Sequence, residues 1–112
     1  MEKRIVEITQ TALDDMEEIY DYIADVLLTP ENAMGQYNRI ADAILTLESN
    51  PERCPFFEAE PEQSWRMRRM VIDNYLVCYI VDQDKVTVTD VLYGASNVHV
   101  RLKARHMSEP DT

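Results

Sequence analysis

Apolar and polar positions follow two different periods along this chain, and the change of period divides it. From Ala12 to Leu47 the apolar residues recur every three or four positions. They are Ala12, Met16, Ile19, Tyr20, Ile23, Val26 and Leu27, then Ala33, Tyr37, Ile40, Ala41, Ile44 and Leu47. That spacing gives each of two helices one apolar stripe, and Asp14, Glu17, Glu18, Asp21 and Asp25 lie on the other side of the first. Thr9 or Thr11 is placed to cap the first helix, with Asp14 and Asp15 in its first turn. Thr29-Pro30 reads as a cap followed by proline at the first helical position of the second. Little more than Leu28 separates them, which predicts an antiparallel hairpin of helices. It ends near Ser49-Asn50, because Pro51 disfavours helix in the residue before it.

From Trp65 to Gly94 the pattern is that of strands. Residues 66–72 form the first, Asp73-Asn74 suits a tight left-handed turn, and residues 75–81 are apolar at every position. Such a strand is expected to be covered on both faces. Asp82-Gln83-Asp84 turns the chain again, and residues 85–93 form a third, β-branched strand that Gly94 stops. The three make an antiparallel meander. A shorter strand, Arg4 to Thr9, precedes the helices. Residues 51–64 are irregular, broken by Pro51, Pro55 and Pro61, with Cys54, Phe56 and Phe57 expected to fold back onto the core. Ser96 is placed to cap a last short helix carrying Val98, Val100 and Leu102 beside Arg101, Lys103 and Arg105. The expected fold is α+β, with a helical hairpin on one face of a mostly antiparallel sheet and the strand order left open. One domain spans residues 1–107, and residues 108–112 are expected to be a disordered tail.

Charge adds an asymmetry. The net charge of −10 over 112 residues is split: residues 1–63 hold four cations against fifteen acids, residues 64–105 seven cations against four. An acidic helical half and a basic sheet half result, and the overall balance opposes nonspecific binding to nucleic acid. No apolar run approaches the roughly 20 residues of a membrane helix, and Met1-Glu2-Lys3-Arg4 leads into a strand rather than a signal core, so a cytoplasmic protein without membrane contact is expected. Cys54 and Cys78 share no metal-ligand spacing, and Cys78 reads as a small hydrophobe in the central strand. There is no phosphate loop, metal constellation or nucleophile–base set, so no cofactor is expected.

Several residues remain as candidates. Arg66, Arg68 and Arg69 crowd one strand, with Arg66 and Arg68 expected on the same face. They either solubilise an edge strand or grip an anion. Tyr75 and Tyr79 share a face, as core-edge tyrosines or as a stacking platform. Tyr93 ends a strand, where clefts form. His99 is expected half-exposed on the last helix, and His106 in the tail.

The run R-M-R-R-M-V-I-D-N-Y-L-V-C-Y-I-V-D, followed after a turn by V-T-V-T-D-V-L-Y-G, resembles the RelE/ParE superfamily of bacterial toxins from type II toxin–antitoxin modules. A-L-D-D-M-E-E-I-Y-D-Y-I-A, with P-E-N-A opening the second helix, is similar to its ParE-like members. The resemblance covers roughly residues 4–102. It implies a toxin neutralised by a cognate antitoxin that acts, in the ParE manner, by occupying a protein target such as DNA gyrase. The RelE manner is the alternative: cleavage of messenger RNA on the ribosome, with Arg66, Arg68 or Arg69 holding phosphate and Tyr93 or His99 assisting proton transfer. Where ParE-like members commonly carry H-G-x-R-D after the last strand, this chain has Tyr93-Gly94-Ala95-Ser96-Asn97, which leaves open a toxin fold that keeps antitoxin binding alone. Residues implied in antitoxin or target contact are Arg66, Arg68, Arg69, Tyr75, Tyr93, Asn97 and Arg101. The implied antitoxin has an acidic, amphipathic C-terminal segment that pairs with these cations.

Overall fold

The structure is a computed structural model that describes residues 3–107; the expected tail of residues 108–112 lies outside them. In chain order the elements are β1 (Ile5–Ile8), α1 (Gln10–Asp21), α2 (Pro30–Leu45), β2 (Met67–Ile72), β3 (Tyr75–Val81), β4 (Lys85–Tyr93) and α3 (Val98–His106). The four strands form one sheet in the order β1-β4-β3-β2. β2, β3 and β4 are the expected meander, and β1 joins it parallel to β4, pairing Ile5 with Lys85 and Ile8 with Val88. β3 and β4 are therefore both central.

Both sheet faces are covered. On one side Val77, Tyr79, Val86, Val88 and Val91 pack against Ala12, Met16, Ile40, Ile44 and Leu47 of the hairpin. Tyr20 and Tyr37 tie α1 to α2 by an edge-to-face contact at 6.3 Å. On the other side Cys78 and Leu92 meet Leu102 of α3 and Met67, with Phe57 and Trp65 at the margin. Burial pushes the Cys78 thiol well above its usual range, as suits a residue serving as a small hydrophobe. Burial does the same to the Tyr79 phenol, which donates to the Pro51 carbonyl at 2.7 Å and so anchors the start of the irregular stretch.

A bulge reorganises the middle of β4. Cys78 pairs with Asp90 but Tyr79 pairs with Val88, so Thr89 is an extra residue. Val88 and Val91 thereby face the hairpin together, while Asp90 is turned toward α3.

Several local details differ from the expected ones. Thr9 is the cap of α1, its hydroxyl accepting from the Ala12 N–H, and the helix begins at Gln10, which puts Asp14 and Asp15 beyond the first turn. α1 continues as a π-helical turn over Tyr22–Val26, and Leu28 closes the hairpin with a left-handed φ of 59°. α2 gives way to a 3-10 turn at Thr46–Glu48. Asp73, with φ 54°, supplies the expected left-handed turn between β2 and β3. β2 starts at Met67, because Arg66 itself is left-handed, at φ 60°. Arg66 and Arg68 therefore do not share a strand face. α3 begins after Asn97, not on a Ser96 cap; the Ser96 hydroxyl donates to the Tyr93 carbonyl instead. α3 also extends through His106, which is helical rather than part of a tail.

The hairpin-side core should respond to a cavity. Ile44 is fully buried and its neighbour Leu45 is 61% exposed. Ile44→Ala is expected to lower the unfolding free energy by about 2–5 kcal/mol, and Leu45→Ala to change it by less than about 0.5 kcal/mol, as read from urea denaturation.

Candidate functional site

β1 leaves β4 at Val88, so the remaining outer edge of β4 has no strand beside it. α1 supplies the missing partner. The Asp15 carboxylate, 4% exposed, accepts from the Val91 N–H at 3.0 Å. Arg105, arriving from α3, donates to both Asp15 oxygens at 2.8 Å and to Asp90 Oδ2 at 2.9 Å. His106 Nε2 lies 2.9 Å from the other Asp90 oxygen, and Trp65 packs edge-on against the His106 ring. Asp90 is fully buried. The two carboxylates hold the Arg105 guanidinium charged, raising its pKa beyond its already high value, with the hydrogen bond to Asp15 the largest cause. A second histidine–carboxylate contact, His99 Nδ1 to Glu62 at 2.9 Å, pins the start of α3 to the irregular stretch.

These contacts set the walls of an open trough of about 530 Å3. α1 and the turn after it contribute Glu18, Ile19, Tyr22 and Leu27; the strand ends contribute Tyr75 and Tyr93; α3 contributes Arg101. Tyr75 and Tyr93 pair across β3 and β4 with ring centroids 5.8 Å apart. Burial raises the Tyr75 phenol pKa, with Tyr93 a smaller cause. A second hollow of about 320 Å3 shares Asn74, Tyr75 and Tyr93 and carries the depression on past Val71 and Ala95. The turn between them is braced from behind. Asp73 accepts from Arg39 at 2.8 Å and Gln36 at 3.0 Å, and the Arg39 hydrogen bond, foremost, holds the Asp73 pKa below the usual carboxylate range.

The candidate residues therefore separate into three groups. Tyr75, Tyr93 and Arg101 meet in the trough. The arginines of the β2 region do not reach it: Arg68 Nη1 donates to the Glu52 and Cys54 carbonyls at 3.0 and 2.6 Å. The same guanidinium stacks on Phe56 at 3.9 Å, Arg66 lies over that ring at 5.0 Å, and Arg69 lies 6.0 Å from the Phe57 ring. Residues 55–57 also cover the outer edge of β2, through Phe57 N–H to the Met67 carbonyl and Arg69 N–H to the Pro55 carbonyl. That edge is protected by the chain itself. His99 is half-exposed as expected, but its ring nitrogen is committed to Glu62. Asn97 sits exposed at the cap position of α3.

Sequence reasoning missed the cluster of Asp15, Asp90, Arg105 and His106. One signal was present: Asp15 falls three residues after Ala12 and four before Ile19, within the apolar stripe rather than on the solvated side. Among the described residues no group of three potential metal ligands forms, and no helix is long and apolar enough to cross a membrane.

Comparison with known proteins adds two findings. The family described as the ParE toxin of type II toxin–antitoxin system, parDE, matches residues 6–98. A solved structure of the chromosomal ParDE TA system from P. aeruginosa is similar in fold, with a TM-score of 0.68 at 18% identity, covering 81% of this chain and 96% of that one. No curated protein sequence matches the chain significantly.

Removing the guanidinium would leave two buried carboxylates facing each other. Arg105→Ala is expected to cost about 3 kcal/mol, the low end for breaking a buried pair because the side chain is 26% exposed. Arg101→Ala, exposed on the same helix, should stay within about 0.5 kcal/mol by chemical denaturation.

Proposed function

Since the chain belongs to the ParE toxin family of type II toxin–antitoxin systems, we propose that it is the toxin of such a module, held inactive by a cognate antitoxin. In this reading it acts in the cytoplasm by occupying a protein target, DNA gyrase, rather than by cutting a nucleic acid. The observation that carries the choice is the electrostatics of α1. Asp14, Glu17, Glu18 and Asp21 are exposed on α1, and Glu18 lines the trough. None of them forms an ion pair with a cation among the described residues. A row of unneutralised carboxylates repels a phosphate backbone, whose neutralisation supplies most nonspecific affinity for nucleic acid. A protein surface has no such objection to it. The histidines point the same way, since His99 and His106 both brace α3 against carboxylates of the sheet side.

A second reading draws on Tyr93 and Arg101. A phenol and a guanidinium on one trough are groups that a ribosome-dependent ribonuclease of the RelE kind could use, the arginine to hold phosphate and the tyrosine to move a proton.

Expression without antitoxin should arrest growth, and the purified protein should inhibit supercoiling by gyrase in vitro. Normal supercoiling at saturating protein rules against gyrase as the target. Primer extension on a translated message decides the second reading. New cleavage ends that vanish in Tyr93→Phe, with activity down by about a hundredfold or more, would establish it; none are expected.

A further inference from the structure

The bend of the helical hairpin carries apolar side chains that the fold does not use. On its inner side Ile23 and Ala33 are buried, and the π-helical turn packs against α2. On its outer side Val26 is 61% exposed, Leu28 77% and Met34 50%. None of these three lines either hollow of the trough. Thr29 closes the bend, its N–H and its hydroxyl both donating to the Ile23 carbonyl, at 3.2 and 3.3 Å. Leu28, the residue before it, is left-handed at φ 59°. Helices commonly end on a left-handed residue, but it is usually glycine, because a side chain with a Cβ is strained there. A leucine at this position lowers stability and gains no packing. Strain of this kind clusters at ligand clamps and switch regions, and π-helical turns such as Tyr22–Val26 are frequent at functional sites.

The charge around these side chains has one sign. Residues 5–38 contain no lysine, arginine or histidine. Asp25 and Glu31 flank Leu28 in sequence, and both are exposed. Neither forms an ion pair among the described residues. Arg39, the first cation after the bend, is held by Asp73. An apolar patch beside unneutralised carboxylates selects its partner by charge. A second copy set bend to bend, or any acidic segment, would bring like charges together, and nucleic acid would bring phosphates. A protein surface with an apolar centre and a cationic rim meets no such opposition. Enzymes that handle DNA carry cations of this kind, because holding a duplex requires neutralising its phosphates.

We propose that the bend is the contact by which the toxin docks on its protein target. Val26, Leu28 and Met34 enter an apolar recess of the target, and Asp25 and Glu31 face the cations around it. The proposal rests on the reading of the chain as a toxin that occupies DNA gyrase. It adds the part of the chain that makes the contact and the chemistry that receives it.

The test measures supercoiling by purified gyrase against increasing concentrations of toxin variants. Leu28→Gly removes the exposed side chain at a position where glycine is unstrained, so thermal unfolding is expected no lower than in the parent. The concentration for half-inhibition should nevertheless rise by about tenfold. Met34→Glu should have a similar effect. Leu45→Glu, also on α2 and 61% exposed, should change it by less than about twofold. Asp25→Asn combined with Glu31→Gln should raise it by about tenfold at low salt and flatten its salt dependence. Calorimetric titration with the cognate antitoxin should give a Kd within about twofold of the parental value for each variant. Inhibition that Leu28→Gly and Met34→Glu leave unchanged overturns the bend as the contact and leaves the gyrase reading intact. Absence of inhibition by the parent overturns both. Loss of antitoxin binding in the same variants assigns the bend to the antitoxin, and self-association abolished by Leu28→Gly assigns it to a second copy; either result overturns the proposal.

Discussion

The guanidinium of Arg105 sits where three elements could otherwise drift apart. β4 loses its parallel neighbour at Val88, and the backbone beyond it needs a partner because an unpaired buried N–H is costly. Asp15 fills that role for Val91, but a carboxylate 4% exposed is itself expensive without a counter-charge. Arg105 supplies the charge and shares it with Asp90, which the bulge at Thr89 has turned toward the same place. Each group here makes the next one tolerable. The helix α3 buries only Leu102 completely, so apolar burial alone, worth about 1.5–3 kcal/mol for one such side chain, gives it a weak hold. Its orientation depends on Arg105, His106 and His99 reaching carboxylates on three other segments.

That dependence explains what could and could not be seen in the sequence. The hairpin and the meander were legible because each obeys one period over many residues, and tertiary packing follows that period: Ile40, Ile44 and Leu47 face inward together, as do Val77 and Tyr79. The parallel pairing of β1 with β4 was not legible, since four residues of Ile5–Ile8 carry no directional signal. The bulge was hidden as well. Thr89 and Asp90 fit an alternating strand, and only the register shows that one residue is extra. Ser96 looked like a cap, yet its hydroxyl finds the Tyr93 carbonyl first and the helix starts two residues later.

The arginines of the β2 region show a different limit. Three guanidinium groups within four residues suggested a surface for anions, on the ground that arginine binds carboxylate and phosphate well. Carbonyl oxygens and aromatic faces compete for the same group. Arg68 takes two carbonyls and the Phe56 ring from its own irregular stretch, and Arg66 shares that ring from a left-handed position outside the strand. What reads as recognition chemistry is in large part the means by which a loop with three prolines is held to the sheet. The residues that do converge, Tyr75, Tyr93 and Arg101, are separated by 18 and 8 positions in the sequence, and only the hairpin turn and α3 bring them to one trough.

The uneven charge of the chain takes on a spatial meaning at that trough. Residues 1–63 carry the acids and residues 64–105 most of the cations, but folding does not simply lay one half beside the other. The ion pairs of Arg105 are turned inward, and of their members Asp15 forms part of the trough lining. What remains outside is an acidic helix, α1, along one wall and a lone arginine across from it. A partner approaching from solvent therefore meets a field that changes sign over the width of the trough, and polymers of uniform charge are opposed by one wall or the other. The hydrogen bonds of Asp15 and Arg105 tie α1, β4 and α3 together and so set the positions of the trough's walls relative to one another.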